Sequence, residues 1–205
     1  MIFHKTPFFL PWLFPHYVWH KERGERKIYL TFDDGPIPEV TEFVLEQLDK
    51  YQAKATFFCV GHNIEKHPAI FHQVVAAGHS VGNHTFHHVK GTKTPLATYL
   101  EEVQKGEEQL GQWSQSLFRP PYGRLRPAQA KVLKKDYQII MWDVLTGDYE
   151  ARKSAEICLQ QSIKATRGGS IVLFHDSIKS YTTLQYVLPR YLGHFQALGY
   201  TYEAL

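Results

Sequence analysis

Two adjacent carboxylates, Asp33 and Asp34, close the apolar run Ile28-Tyr29-Leu30-Thr31-Phe32, and Gly35-Pro36 then turns the chain. Neighbouring carboxylates repel unless a cation or a shared proton lies between them, so the pair is either a solvated turn or the start of a site. His84-Thr85-Phe86-His87-His88 offers a possible answer: two imidazoles four residues apart, expected to meet on one side of a helical turn, with His87 pointing away. With one carboxylate from the Asp pair they make a set of two His and one Asp. Such a set leaves coordination positions open for water and substrate, as catalytic metal centres require. The spacing alone is weak, because His16-Tyr17-Val18-Trp19-His20 repeats it in a proline-flanked aromatic segment that reads as structural. The set would also suit a non-haem iron oxygenase, although those usually sit on all-β scaffolds. His62, His67, His72, His79 and His194 read as surface or supporting residues.

The elements that must position these groups alternate strictly. Strands are expected at 27–32, 55–60, 79–83, 117–118, 138–142, 170–174 and 200–203. Helices are expected at 39–51, 68–77, 95–113, 126–136, 154–166 (capped by Ser154) and 181–198. Alternating strands and helices imply an α/β fold with a parallel sheet and helices outside it, either an open doubly wound sheet or a small imperfect barrel. Asp33-Asp34, His84 and His88, Arg119 and Tyr122, Asp143 and Asp148, and His175-Asp176 all then follow strand C-termini, on the face where such folds build active sites.

With 205 residues the chain fits one domain, and no linker or repeat interrupts it. The formal net charge of +3 carries no Lys/Arg stripe, which argues against nucleic acid. Cys59 and Cys158 read as buried free thiols. No stretch approaches the roughly 20 apolar residues of a membrane span, and the N-terminus lacks signal-peptide features, so a cytoplasmic or peripherally membrane-associated chain is expected. Residues 1–26 read as an aromatic, proline-rich arm before a domain at 27–205. Pro7, Pro11 and Pro15 argue against a regular helix in the arm. It is expected to pack across the bottom of the domain, with docking to a membrane interface the less favoured alternative.

Thr31-Phe32-Asp33-Asp34-Gly35-Pro36, His84-Thr85-x-x-His88, Arg119-Pro120-Pro121-Tyr122 and Leu173-Phe174-His175-Asp176 together resemble the ordered motifs of the NodB-type polysaccharide deacetylases, carbohydrate esterase family 4. The resemblance runs from about Lys27 to the C-terminus. It implies a single-domain distorted (β/α)7 barrel and one divalent metal, usually Zn²⁺, with Co²⁺ or Ni²⁺ as alternatives. It implies hydrolytic removal of acetyl from an N-acetylglucosamine-containing glycan. By the same resemblance Asp34, His84 and His88 are the metal ligands, Asp33 the general base, and Arg119 the residue that holds Asp33. The Tyr122 main chain helps bind the oxyanion, and Leu173 lines the acetyl pocket. His175 is the general acid and Asp148 pairs with it.

The family's fourth motif is typically Asp-Trp with another acidic residue three positions earlier. Here Tyr149 follows Asp148, and Leu145 holds the earlier slot, so Tyr149 would wall the groove and Asp143 is the substitute if the register is shifted. On the residues alone Arg119 could instead form a structural salt bridge and Asp148 a cap. An amidohydrolase acting on a small or lipid-linked substrate, an O-acetyl esterase on xylan-like polymers and a non-catalytic carbohydrate-binding remnant are the other readings.

Overall fold

The computed structural model describes residues 4–205; the first three residues of the expected arm lie outside the described residues. In chain order the elements are α1 (Phe9–Leu13), β1 (Tyr17–Val18), β2 (Lys27–Asp33), α2 (Val40–Lys50), β3 (Thr56–Cys59), α3 (Gly61–Lys66), α4 (Pro68–Ala76), β4 (Ser80–Asn83), α5 (Leu96–Leu110) and β5 (Leu117–Phe118). They continue with α6 (Pro127–Leu133), β6 (Gln138–Ile140), β7 (Val144–Leu145), α7 (Ala155–Ala165), β8 (Ile171–His175), α8 (Tyr181–Ala197) and β9 (Thr201–Glu203). The strands form one parallel sheet in the order β1-β6-β5-β4-β3-β2-β8-β7. It is a curled, incompletely closed barrel with its helices outside.

Side-chain alternation explains why β2 lies at the centre. Ile28, Leu30 and Phe32 face outward into the main core with Phe57, Phe174, Leu184 and Tyr191, while Tyr29, Thr31 and Asp33 face the barrel interior. Burying each of those large apolar side chains is worth about 1.5–3 kcal/mol. β8 alternates likewise, with Val172 and Phe174 outward and Leu173 and His175 on the cleft side. The interior layer beneath the cleft contains Phe58, Leu117, Ile140 and Ile171.

Three expectations about the sheet are corrected. The strand expected over 138–142 stops at Ile140, and Val144–Leu145 forms the separate strand β7 on the far side of β8. The C-terminal strand does not serve as a barrel stave. β9 pairs Lys27–Tyr29 of β2, the stretch below the point where β3 begins its own pairing with Thr31. A helix, α3, also starts directly at Gly61, where only a strand end was expected.

The arm departs from its expected path. Despite its prolines it forms one helical turn, α1; Pro11 removes an N–H, but five residues are too few for that loss to break a ladder. Its first segments line the seam left by incomplete closure, and its last stretch does cross the bottom: His20 bridges Ser170 and Lys21 N–H donates to Gly169 O (2.9 Å), just before β8 begins. Lys5 bridges β7 in antiparallel fashion, and β1 extends the sheet beyond β6. Leu145 N–H donates to His4 O (3.0 Å), Thr6 N–H to Asp143 O (2.8 Å), and the Thr6 hydroxyl to Trp142 O (2.6 Å). Unpaired strand edges are costly, and the arm satisfies both of them. Phe8, which precedes α1, and Trp12 on it stay exposed. Among the described residues no helix is long and apolar enough to cross a membrane.

Candidate metal and catalytic cleft

Strand register assembles the site. In the β2–β8 ladder Asp33 is paired with His175. In the β3–β4–β5 ladders Cys59 pairs Asn83 and Asn83 pairs Phe118, so His84 and Arg119 emerge side by side at the next position. His84 Nδ1–H donates to the Arg119 carbonyl (2.7 Å). That bond fixes the tautomer and leaves the Nε2 lone pair facing the carboxylates, 3.7 Å from Asp33 Oδ2 and 3.9 Å from Asp34 Oδ1. His88 Nε2 lies 3.3 Å from the same Asp34 oxygen. Burial, helped by His88, lowers the His84 pKa to about 3, so its imidazole is neutral.

A neutral imidazole lone pair aimed at carboxylate oxygens repels them unless a cation sits between. Asp34, His84 and His88 offer ligand atoms all within 4.8 Å of one another and form the only such group among the described residues. The donor set therefore fits a divalent metal. The two histidines do not share a helical turn, as expected from their spacing. They sit on a non-helical loop in which Thr85 (φ 63°) and His88 (φ 56°) adopt left-handed conformations. Asp34 (φ 86°) and Tyr122 (φ 59°) do the same, each at a cost of order 1–3 kcal/mol. Among the described residues, four of the seven non-glycine residues with positive φ thus lie in or against one cleft.

Asp33 is buried and held by Arg119, whose Nη1 donates to Asp33 Oδ1 (2.7 Å) and Thr31 Oγ1 (2.8 Å). The guanidinium is wholly enclosed. It also donates to Ile140 O and Met141 O and lies 4.1 Å from the centre of the Phe58 ring. His175 Nδ1–H donates to Asp148 Oδ1 (2.8 Å), and its main-chain N–H to Asp148 Oδ2 (2.7 Å). Burial opposes the charge on His175, but Asp148, followed by Asp34 and Asp33, raises its pKa to about 9. Asp143 does not substitute for Asp148. It binds Arg23 (2.9 Å) and Ser170 (2.7 Å) at the other end of β8.

These groups line a cleft of about 720 Å³, within the usual range for ligand sites. Tyr122, Leu173, Tyr149 and Leu145 line it as well. The Tyr122 ring stands 4.7 Å from His88, and the Tyr149 ring stands 4.9 Å from His175 at 81°. His87 turns away to Glu102 (2.9 Å). His79, expected to be a surface or supporting residue, is buried and accepts the Ala55 N–H.

Sequence reasoning missed Trp142, Ile37 and Asn63, and placed Asp176 on the active-site face without a role. Asn63 donates to the Asp34 carbonyl (2.7 Å) from α3. Asp176 is fully buried, accepting the Thr41 hydroxyl (2.6 Å) and the Gly35 N–H (3.1 Å), so it anchors the turn that carries Asp34. Burial raises its pKa to about 8, against the pull of the Thr41 bond. Its place beside His175 was the available signal; Asn63 and Trp142 gave none.

Comparison with known proteins agrees with this geometry. The family description "Polysaccharide deacetylase" matches residues 20–138. A peptidoglycan-N-acetylglucosamine deacetylase of Bacillus cereus is 31% identical over 189 residues, covering 90% of this chain and 89% of that protein. A chitooligosaccharide deacetylase of Azorhizobium caulinodans is 31% identical over 203 residues, covering 89% and 94%. A solved peptidoglycan N-acetylglucosamine deacetylase superposes with a TM-score of 0.89 at 29% identity, covering 98% of this chain and 95% of that one. The chain belongs to the polysaccharide deacetylase family, carbohydrate esterase family 4, whose reaction is the deacetylation of N-acetylated sugars.

Proposed function

We propose that this chain hydrolyses the N-acetyl group of an N-acetylglucosamine-containing glycan, with Asp33 as general base and His175 as general acid. The observation that carries this reading is the register pair itself. Asp33 and His175 are neighbours on adjacent strands, each locked by an opposite charge and each beside the Asp34, His84 and His88 set. A divalent ion held by those three residues, with Zn²⁺ favoured by the imidazole–carboxylate donors and Co²⁺ or Ni²⁺ able to serve, would polarise the acetyl carbonyl and acidify a bound water.

The chain's own residues supply the rest. Arg119 donates to Asp33 Oδ1 and fixes the carboxylate in place, leaving Oδ2 to accept a proton from the attacking water. Asp148 takes the Nδ1–H of His175, so the imidazolium delivers its other proton, on Nε2, to the departing amine nitrogen as the C–N bond breaks. Acetate and a free amino sugar result. The Tyr122 main-chain N–H assists the oxyanion; a well-placed donor of this kind is worth about 3–4 kcal/mol. Leu173 and Leu145 give the acetyl methyl an apolar wall, and Tyr122, Trp142 and Tyr149 offer flat faces to sugar rings.

The test is acetate release from N-acetylglucosamine oligomers by chelator-stripped protein, with and without added Zn²⁺ or Co²⁺. Release that depends on the metal is expected. Stoichiometric metal binding without acetate release would overturn the substrate assignment.

A further inference from the structure

The helical turn of the arm carries its aromatics outward. Leu10 packs against the cluster that contains Trp19, Tyr99, Phe118 and Leu133. Phe8, Phe9, Trp12, Leu13 and Phe14 are all exposed, Phe8 at 92% and Trp12 at 80%. Helical spacing explains the split: Phe8 and Trp12 lie four residues apart, as do Phe9 and Leu13, so both pairs share a side that Leu10 does not. Among the described residues ten large apolar side chains are exposed, and five of them fall within these seven positions. The other five are scattered along the chain, and two of those, Tyr122 and Ile178, line the cleft. Single exposed apolar residues are ordinary, whereas a contiguous group marks a surface that something covers.

The surroundings of the group are basic. Residues 4–21 contain no Asp or Glu. α6 rests on the same apolar cluster through Leu133, and the stretch that carries it exposes Arg124, Arg126, Lys131, Lys134 and Lys135 with no acid among them. This chemistry selects the occupant. Between Pro7 and Pro15 the Trp12 indole N–H is the sole side-chain hydrogen-bonding group, so a glycan laid there would leave its hydroxyls unpaired. A two-fold dimer through this face would set the basic stretch against its own copy. An anionic lipid surface satisfies both features: the acyl boundary takes Phe and Leu, the indole sits at headgroup level, and the headgroups meet the cations.

We infer that α1 docks the chain on the interface of an anionic membrane, with Phe8 and Trp12 inserted and the Arg124–Lys135 stretch against the headgroups. Residues 4–6 of the same arm bond to the main chain at Trp142, Asp143 and Leu145, so docking holds one wall of the cleft close to the lipid. Inserting one large apolar side chain is worth roughly ten-fold or more in partitioning. Each cation near the surface adds roughly five-fold at low salt. Only the second contribution is screened, as the Debye length falls from about 10 Å at 0.1 M to about 3 Å at 1 M.

The experiment is co-sedimentation of the full chain with vesicles of phosphatidylcholine alone or mixed with phosphatidylglycerol, at low and high salt. Wild type should bind the mixed vesicles more tightly, and high salt should narrow the difference. Phe8→Ser/Trp12→Ser should weaken binding to the mixed vesicles by roughly a hundred-fold. Lys131→Gln/Lys134→Gln/Lys135→Gln should weaken it by at least about ten-fold, on the mixed vesicles only. All five side chains are exposed, so both variants should keep the wild-type melting temperature and metal binding. A second readout needs no loss of binding: bromine-labelled acyl chains should quench wild-type tryptophan fluorescence, and Trp12→Phe should bind equally but lose that quenching. A wild type that sediments with neither vesicle, or binding that survives Phe8→Ser/Trp12→Ser, overturns the inference. Binding without quenching also overturns it, because the chain then docks by another face. Sedimentation velocity without lipid is the remaining arm: a dimer that Phe8→Ser/Trp12→Ser dissolves would assign the face to a second copy and overturn the lipid reading.

Discussion

Asp148→Asn isolates the electrostatic part of the acid assignment. Asp148 is buried and makes two bonds to His175, one to the ring and one to the main chain. Burial alone would push the imidazole pKa down. Asp148 is the largest influence that overcomes this and brings the value from 6.5 to about 9. Asparagine keeps an oxygen for one of the two bonds but removes the charge, so the pKa should fall at least to its ordinary value. The change is 9 minus 6.5, about 2.5 pH units. The general acid works only when protonated, so the alkaline limb of kcat must move down by about 2.5 units while the acid limb stays. At pH 8 the protonated fraction drops from about nine-tenths to about one-thirtieth, a loss of roughly 30-fold, and most of it should return near pH 5.5. A cation in the site lowers both the wild-type and the variant value, so the difference between them survives. The assay is acetate release over pH 5.5–9.5 with saturating oligomer and metal. A uniform fall in rate with the alkaline limb unmoved would show that Asp148 only positions the ring, and would refute the charge argument. Linkage gives the same sign for stability. The pair's contribution is full below pH 6.5 and is lost as pH rises through about 9.

Three further substitutions probe the supports. Asp33→Asn should lower kcat by about 10²–10⁴ while equilibrium dialysis still finds one metal per chain; near-normal turnover would remove Asp33 as the base. Arg119→Met strands the buried Asp33 carboxylate and frees two carbonyls, so chemical denaturation should register a loss of about 3–5 kcal/mol. A change under about 1 kcal/mol would mean that Asp33 does not depend on the guanidinium. At Gly35 an added Cβ would come within 1.9 Å of Asp176 Oδ2, so Gly35→Ala must displace either the turn or the carboxylate. Metal affinity should fall about 10–100-fold, as when a ligand's supporting bonds are disturbed, together with a lower melting temperature. Unchanged affinity would show that Asp176 does not position Asp34.

The site was legible in the sequence to the extent that its chemistry is written in short, ordered motifs. Asp33-Asp34, His84 with His88, Arg119, Asp148 and His175 converge because each ends a strand of one parallel sheet, and the alternation of strands and helices announced that sheet. What the sequence hid was non-local. Val144–Leu145 is too short to show a period, and becomes a strand only because β8 and the Lys5 segment pair with it. The His84–His88 spacing favours a helical turn locally. The bonds from His84 to the Arg119 carbonyl and from His87 to Glu102 hold the loop in another conformation.

The arm shows the same limit and its consequence. Its prolines and aromatics mark it as irregular, yet nothing local reveals that residues 4–6 bond to the main chain at Trp142, Asp143 and Leu145. Trp142 and Leu145 line the cleft, and Leu145 occupies a slot where the family typically places an acid. That wall of the cleft is therefore built in part by the segment that looked least connected to it. A chain cut before residue 7 loses three hydrogen bonds to that wall, each worth about 0.5–1.5 kcal/mol, and exposes the β7 edge. Because Asp34, His84 and His88 follow β2 and β4, away from β7, such a truncation should weaken substrate binding while leaving metal binding intact. Equal loss of both would mean that the arm supports the whole domain rather than one wall of its cleft.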